Sequence, residues 1–178
     1  MGMRIHGGKK RGLAAMAALA CLAATYLAWP VPLLQVRTGP PDSRLSLALP
    51  LSPGQRIAVG FVHSLYRVVQ EERYVLRDGD LQLASVFFGS FDALNYYDPL
   101  GLLPHRARQG GYEVVMDPPR RLPVHFALAH STPIWLRLHQ ADSVRLDQLL
   151  KANQGFALQV AHLPRAAAWF VEKTHGYN

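Results

Sequence analysis

From Gly12 to Leu34 the chain reads GLAAMAALACLAATYLAWPVPLL, 23 residues without a charge. No other stretch restricts the fold as strongly, because so long an apolar run belongs inside a membrane or deep in a core. Arg4, Lys9, Lys10 and Arg11 precede it and no acidic residue does. As a helix, the 17 residues before Trp29 would cover roughly 26 Å, close to a hydrocarbon core of about 30 Å. The expectation is a signal anchor: residues 1–11 as a basic cytoplasmic segment, 12–34 as a single transmembrane helix, and 39–178 as an extracytoplasmic domain. Trp29 would stand at the interface, and Pro30 and Pro32 would end the helix. A cleaved signal peptide shares the basic start and apolar run, but no small-x-small pair precedes a polar segment at the right place.

Cys21 is the only cysteine and lies within the run, so the rest of the chain has no thiol for a disulfide, a metal or catalysis. Four of the 19 Lys and Arg precede the run, leaving 15 against 12 acids, a net charge of +3. These charges are scattered without aromatic interleaving, which argues against nucleic acid as a partner.

From Gly39 on, short apolar alternations are separated by Pro, Gly and Asp. The pattern predicts strands at 44–49, 56–64, 69–77, 80–90, 112–117, 124–129, 133–139 and 156–163. Leu146, Leu149 and Leu150 recur at helical spacing before Gly155 and predict one short helix. The fold class is thus mostly β: a single β-sandwich or barrel-like domain with one short helix, preceded by the transmembrane helix.

The stretch FVHSLYRVVQEERY, residues 61–74, sets ionisable groups among strand residues. Burying such groups costs several kcal/mol unless they are paired. Asp78-Gly79 is a two-residue hairpin signal that places Arg77 opposite Asp80, and by continuation Glu72 opposite Ser85 and Gln70 opposite Phe87. A four-residue loop at 65–68 would put His63 opposite Gln70 and Ser64 opposite Val69. His63, Gln70, Glu72 and Ser85 would then share the core face, with Ser64, Glu71 and Arg73 on the other. A one-residue change in the first turn would exchange Glu71 for Glu72 relative to His63.

Two chemistries suit these groups. His63 held by Glu72 could act as a base toward Ser85 or a bound substrate. Alternatively the groups satisfy one another and fix sheet register, which the absence of a nucleophile-elbow motif favours. On that reading the expected effect of Glu72→Gln or His63→Ala is a lower melting temperature. No metal or cofactor is expected: His125 and His130 are five residues apart, on opposite faces of a strand, and His139 and His162 are isolated.

The His63-Ser64 pair followed by Glu71-Glu72, the segment RYVLRDGDLQLASVFFGSF and the segment VRLDQLLKANQGFALQVAHLP resemble the family called domain of unknown function 1850, over most of residues 44–163. Members are small membrane-anchored or exported bacterial proteins, often encoded beside tripartite ATP-independent periplasmic (TRAP) transporters that use a TAXI-type binding protein. The chain departs from the family where FDALNYYDPLGLLP, residues 91–104, replaces a Gly-Ala-Gly-Leu-Pro-like segment. Tyr96 and Tyr97 in that segment are candidate partner contacts.

The resemblance implies a non-enzymatic accessory protein in the bacterial inner membrane, single-pass, with its β domain in the periplasm. Its partners would be the membrane itself and either the transporter's membrane subunit or its TAXI-type binding protein. The alternative is a tethered periplasmic hydrolase or small-ligand-binding module built on the His63 and Glu72 cluster.

Overall fold

In the computed structural model, residues 7–39, 44–121, 124–127, 132–138, 143–150 and 155–176 are described, with the side chains of α1 described from Ala14 onward. Helix α1 spans Gly7–Ala28 and is followed by strand β1, Pro30–Thr38. Strands β2 (Arg44–Pro50), β3 (Arg56–Val62), β4 (Val69–Arg77) and β5 (Asp80–Phe88) come next, then helix α2 (Phe91–Tyr97). Strands β6 (His105–Arg108), β7 (Gly111–Arg121), β8 (Val124–Ala127), β9 (Ile134–Arg137) and β10 (Ser143–Arg145) lead to the one-turn helix α3 (Leu146–Leu149). Strand β11 (Gly155–Pro164) and helix α4 (Arg165–His175) complete the described chain.

The chain is mostly β and forms two antiparallel sheets. One has the order β2-β1-β11-β8, the other β10-β9-β3-β4-β5-β7-β6. Leu34, Val36, Leu47, Phe156 and Leu158 of the smaller sheet join Ile57, Val59, Val86, Phe88, Val114 and Leu136 of the larger in one buried cluster. The alternation read from the sequence is the reason: strands half covered by a second layer carry apolar residues on one face only.

Two boundaries differ from expectation. The transmembrane segment expected over 12–34 does not continue as helix, because α1 ends at Ala28 and Pro30 opens β1. Proline has no N–H for a helix interior, and the residues after it alternate well enough to pair on both sides, with β2 and β11. Leu33, Leu34 and Val36 are therefore buried in the domain, which begins before residue 39. Among the described residues no helix is long and apolar enough to cross a membrane. From Ala14 to Ala28 every side chain of α1 is exposed, Met16, Leu19 and Leu22 included.

The second difference is helical content. Beside the short helix expected near Leu146, α2 and α4 occur where loop or no element was expected. Residues 128–131 and 139–142, which include His130 and His139, lie outside the described residues, as do 1–6 of the basic segment.

Candidate functional site

Strand pairing around residues 61–74 decides which groups meet. The Asp78-Gly79 hairpin forms as expected, with Arg77 opposite Asp80 and both turn residues at positive φ (53° and 78°). The preceding loop is longer than four residues: Val62 faces Val69, so residues 63–68 all lie in it. This moves the β3–β4 register by two, which leaves every side chain that stays in the ladder on its expected face. Phe61 now faces Gln70, and Val59 faces Glu72. His63 leaves the ladder and organises the turn.

The His63 backbone N–H donates to Val68 O at 2.8 Å, and the Arg67 N–H to His63 O at 2.9 Å. Its ring Nδ1 accepts from the backbone N–H groups of Leu65 and Tyr66 at 3.2 and 3.4 Å. An accepting Nδ1 carries no proton, so the neutral ring holds its hydrogen on Nε2. The ring lies 5.2 Å from that of Tyr66 and 5.6 Å from that of Tyr96, centroid to centroid.

A β-bulge then separates the expected cluster. Tyr74 faces Leu83, but Arg73 faces Ser85, so Ala84 is an extra residue and everything beyond it changes face. Ser85 and Phe87 turn outward with Glu71 and Arg73; Val86 and Phe88 turn into the core. The expected pairing of Glu72 with Ser85 is replaced by Glu72 opposite Val86, and that of Gln70 with Phe87 by Gln70 opposite Phe88. No regular alternation announces a bulge inside ASVFF, where small and apolar residues fit either face.

On the inner face, Glu72 sits between Val59 and Val86 across the ladder, both fully buried. The hydroxyl of Tyr74 donates to Glu72 Oε2. Burial pushes the Glu72 carboxyl above its ordinary value, and the Tyr74 hydrogen bond opposes that only in part. Burial and the nearby carboxylate also push Tyr74 and Tyr97 upward. A carboxylate whose folded pKa is raised costs stability as pH climbs from about 4.5 to that pKa, and the penalty is constant above it. Below about 4.5 the two states bind the proton alike and the penalty vanishes.

Glu72→Gln should therefore leave the melting temperature unchanged near pH 4 and raise it near pH 8, the reverse of the sign expected from the sequence. Thermal melts at both pH values check this, and a lower melting temperature at pH 8 would contradict it.

On the outer face, Glu71 is buried under guanidinium groups that remain partly exposed. It accepts from Arg73 Nε at 2.7 Å and from Arg137 Nη2 at 2.5 Å. Glu113 on β7 accepts from Arg73 at 2.9 Å, Arg106 at 2.8 Å and Arg108 at 2.9 Å. Ser85 Oγ donates to the same carboxylate at 3.0 Å. Next to this network the Trp135 ring lies flat on Gly60, where a Cβ would approach it to 2.2 Å. Glu71 and Ser85 are thus part of a structural ion-pair lattice, not of a site with His63.

His63, Ser64, Gln70, Tyr96 and Tyr97 do come together. With Phe61, Val62, His125, Phe126, Ala127, Thr132 and Ile134 they line an open pocket of about 550 Å³. Helix α2 supplies the tyrosines: Ser90 caps it by accepting from the Ala93 N–H at 3.2 Å, and Ala93 and Leu94 are buried beneath it. Asp98 then accepts from the N–H groups of Leu102 and Leu103 at 3.1 and 2.7 Å, fixing the chain as it leaves. Opposite, Asp147 of α3 accepts from the Ile134 N–H at 3.2 Å. The Ser-Phe-Asp start of α2 was a readable capping signal; the contribution of β8 and of Thr132 and Ile134 comes from sheet order, which no local pattern encodes.

Among the described residues the lining contains no Asp, Glu, Lys or Arg. Aromatic faces, two imidazoles, two aliphatic and two phenolic hydroxyls and one amide suit an uncharged occupant with both apolar and hydrogen-bonding parts. Among the described residues no group of three His, Cys, Asp or Glu could hold a metal ion. The base and nucleophile expected of a hydrolase do not meet, since Ser85 lies on the far face of the sheet and Ser64 shares no hydrogen bond with His63 among the described residues. No family model, curated protein or solved structure matches the chain.

Proposed function

We propose that the chain is a membrane-anchored, non-enzymatic accessory protein that offers an uncharged aromatic pocket to a partner outside the membrane. The observation that carries this reading is that Tyr96, 5.6 Å from the His63 ring, and Tyr97, which packs on Phe88, are both exposed and line that pocket together with His63. Exposed aromatics on a rigid support are what an anchoring residue of a partner packs against. The partner we propose is a component of a TAXI-type TRAP transporter, either its membrane subunit or its TAXI-type binding protein. The resemblance of residues 44–163 supports that choice. The exposed apolar residues of α1, with Arg4 before it and Lys9, Lys10 and Arg11 near its start, support an inner-membrane anchor with the β domain in the periplasm. Tethering would raise the local concentration of the domain beside the transporter.

The test is co-purification of the tagged, detergent-solubilised full chain, with bound proteins identified by mass. Transporter subunits should be recovered with the wild type. The double variant Tyr96→Ala, Tyr97→Ala should reduce that recovery at least about ten-fold, as loss of two interfacial aromatics does, with little change in melting temperature. Undiminished recovery would move the contact elsewhere on the domain. The pocket's size also falls in the range of about 300–1,000 Å³ typical of small-ligand sites, which favours a second reading as a ligand-binding module. A small molecule retained by the wild type and lost by the double variant in native mass spectrometry, without transporter subunits, would replace the first reading with this one.

A further inference from the structure

Helix α4 begins where α1 ends. The Arg165 N–H donates to Trp29 O at 3.0 Å, and the Arg165 guanidinium donates to the Tyr26 hydroxyl at 3.0 Å while lying 4.3 Å from the centre of its ring. These bonds join the first turn of α4 to the last turn of α1. The rest of α4 packs against β2, β1 and β11 and buries Ala168.

At about 100° per residue, Ala166, Trp169, Phe170 and Lys173 fall on the face opposite Ala168 and Val171. That face is open: Trp169 is 62% and Phe170 63% exposed. Trp29, itself 62% exposed, lines the same depression as Trp169. A soluble surface gains nothing by clustering three large aromatics, whereas Trp, Phe and Lys on one face are the composition of a helix lying in a membrane interface.

We infer that α4 lies along the outer surface of the bilayer, with Trp169 and Phe170 in the boundary between headgroups and acyl chains and Lys173 among the headgroups. The inference rests on α1 being the anchor, since the Arg165 bonds fix α4 at the point where α1 would leave the membrane. Its consequence is that the β domain has one orientation on the membrane and does not swing on a flexible tether.

The test uses the full chain reconstituted in vesicles of phosphatidylcholine and phosphatidylglycerol. The variant Trp29→Phe, Trp135→Phe leaves Trp169 as the only tryptophan. Its fluorescence should be quenched at least about two-fold more by a lipid spin label near the headgroup than by one deep in the acyl chain, given an insertion depth of about 5–10 Å. A second reporter, Phe170→Trp with all three native tryptophans changed to Phe, should behave alike and guards against a local packing defect.

If neither reporter is quenched by lipid while Trp29, kept alone in the variant Trp135→Phe, Trp169→Phe, is quenched, the anchor stands and the placement of α4 is wrong. If Trp29 is not quenched either, the anchor reading falls and α4 with it. Stronger quenching by the deep label, or shielding from aqueous acrylamide without lipid quenching, would also overturn the proposal; the latter would mean that a protein covers this face.

Discussion

Replacing Glu113 with Ala should lower the melting temperature by roughly 6–12 °C at neutral pH, corresponding to about 3 kcal/mol for a chain of this size. The carboxylate is buried, while the guanidinium groups of Arg106 and Arg108 above it are about half exposed, at 55% and 47%. Removing one partner of a buried ion pair costs about 3–5 kcal/mol, and water at the guanidinium groups brings this case to the low end. Three cations would be left facing one another, and Ser85 would lose its acceptor. The arginines are not equivalent to it. Arg106→Ala or Arg108→Ala should each cost under about 1 kcal/mol, because solvent already screens them and Glu113 keeps two other cations.

The pH dependence identifies the cause. Burial raises the Glu113 pKa, but the hydrogen bonds from Arg108, Arg106 and Ser85 outweigh it and hold the group at about 2, against an ordinary value of 4.5. A depressed folded pKa gives stability that is fully present above about pH 4.5 and is lost as pH falls toward 2. The difference between wild type and Glu113→Ala should therefore shrink across that window. A difference as large at pH 2.5 as at pH 7 would assign the effect to packing instead of charge.

Glu113 also shows where sequence reading stops. The strand carrying it was legible from YEVVMD, yet its partners come from β4, β5 and β6, which only sheet order brings together. Within one hairpin the reading went further. Asp78-Gly79 fixed the β4–β5 register as far as Tyr74, because a two-residue turn leaves no freedom. It failed at Ala84, where one inserted residue in an apolar run reverses every face and carries Ser85 away from Glu72. The β3–β4 loop is two residues longer than the sequence suggests with no change of face in the ladder, so His63 and Gln70 still meet at one pocket. Ser64, expected on the other face, joins them because the loop takes it out of the ladder. Helix α2 hid behind its aromatics, whose propensity is poor but whose Ser90 cap and buried Ala93-Leu94 pair outweigh it. At the N-terminus the difficulty was of another kind: Gly12 to Leu34 is uniformly apolar, and apolarity alone does not separate lipid from core.

A pair of aspartate substitutions separates the two environments in that run. Leu34 is fully buried, between Leu49 of β2 and Val160 of β11. Leu34→Asp removes a packed side chain, at about 2–5 kcal/mol, and strands an unpaired carboxylate, at several kcal/mol more. The sum approaches the whole stability of a domain, about 5–15 kcal/mol, so this variant should lose its near-ultraviolet circular dichroism and become protease-sensitive. Leu22 of α1 is exposed to the medium around the protein. Leu22→Asp should leave the melting of the β domain unchanged. In a bilayer, however, an aspartate near the middle of a helix costs about 2.5–3.5 kcal/mol, roughly two orders of magnitude in membrane partitioning. Flotation with vesicles and domain melting, measured on both variants, should respond oppositely. A folded Leu34→Asp domain that no longer floats would place the outer end of the run in lipid and refute β1 as a core strand. Unaltered flotation of Leu22→Asp would refute the anchor, because no apolar helix in a membrane takes up a charge there without cost.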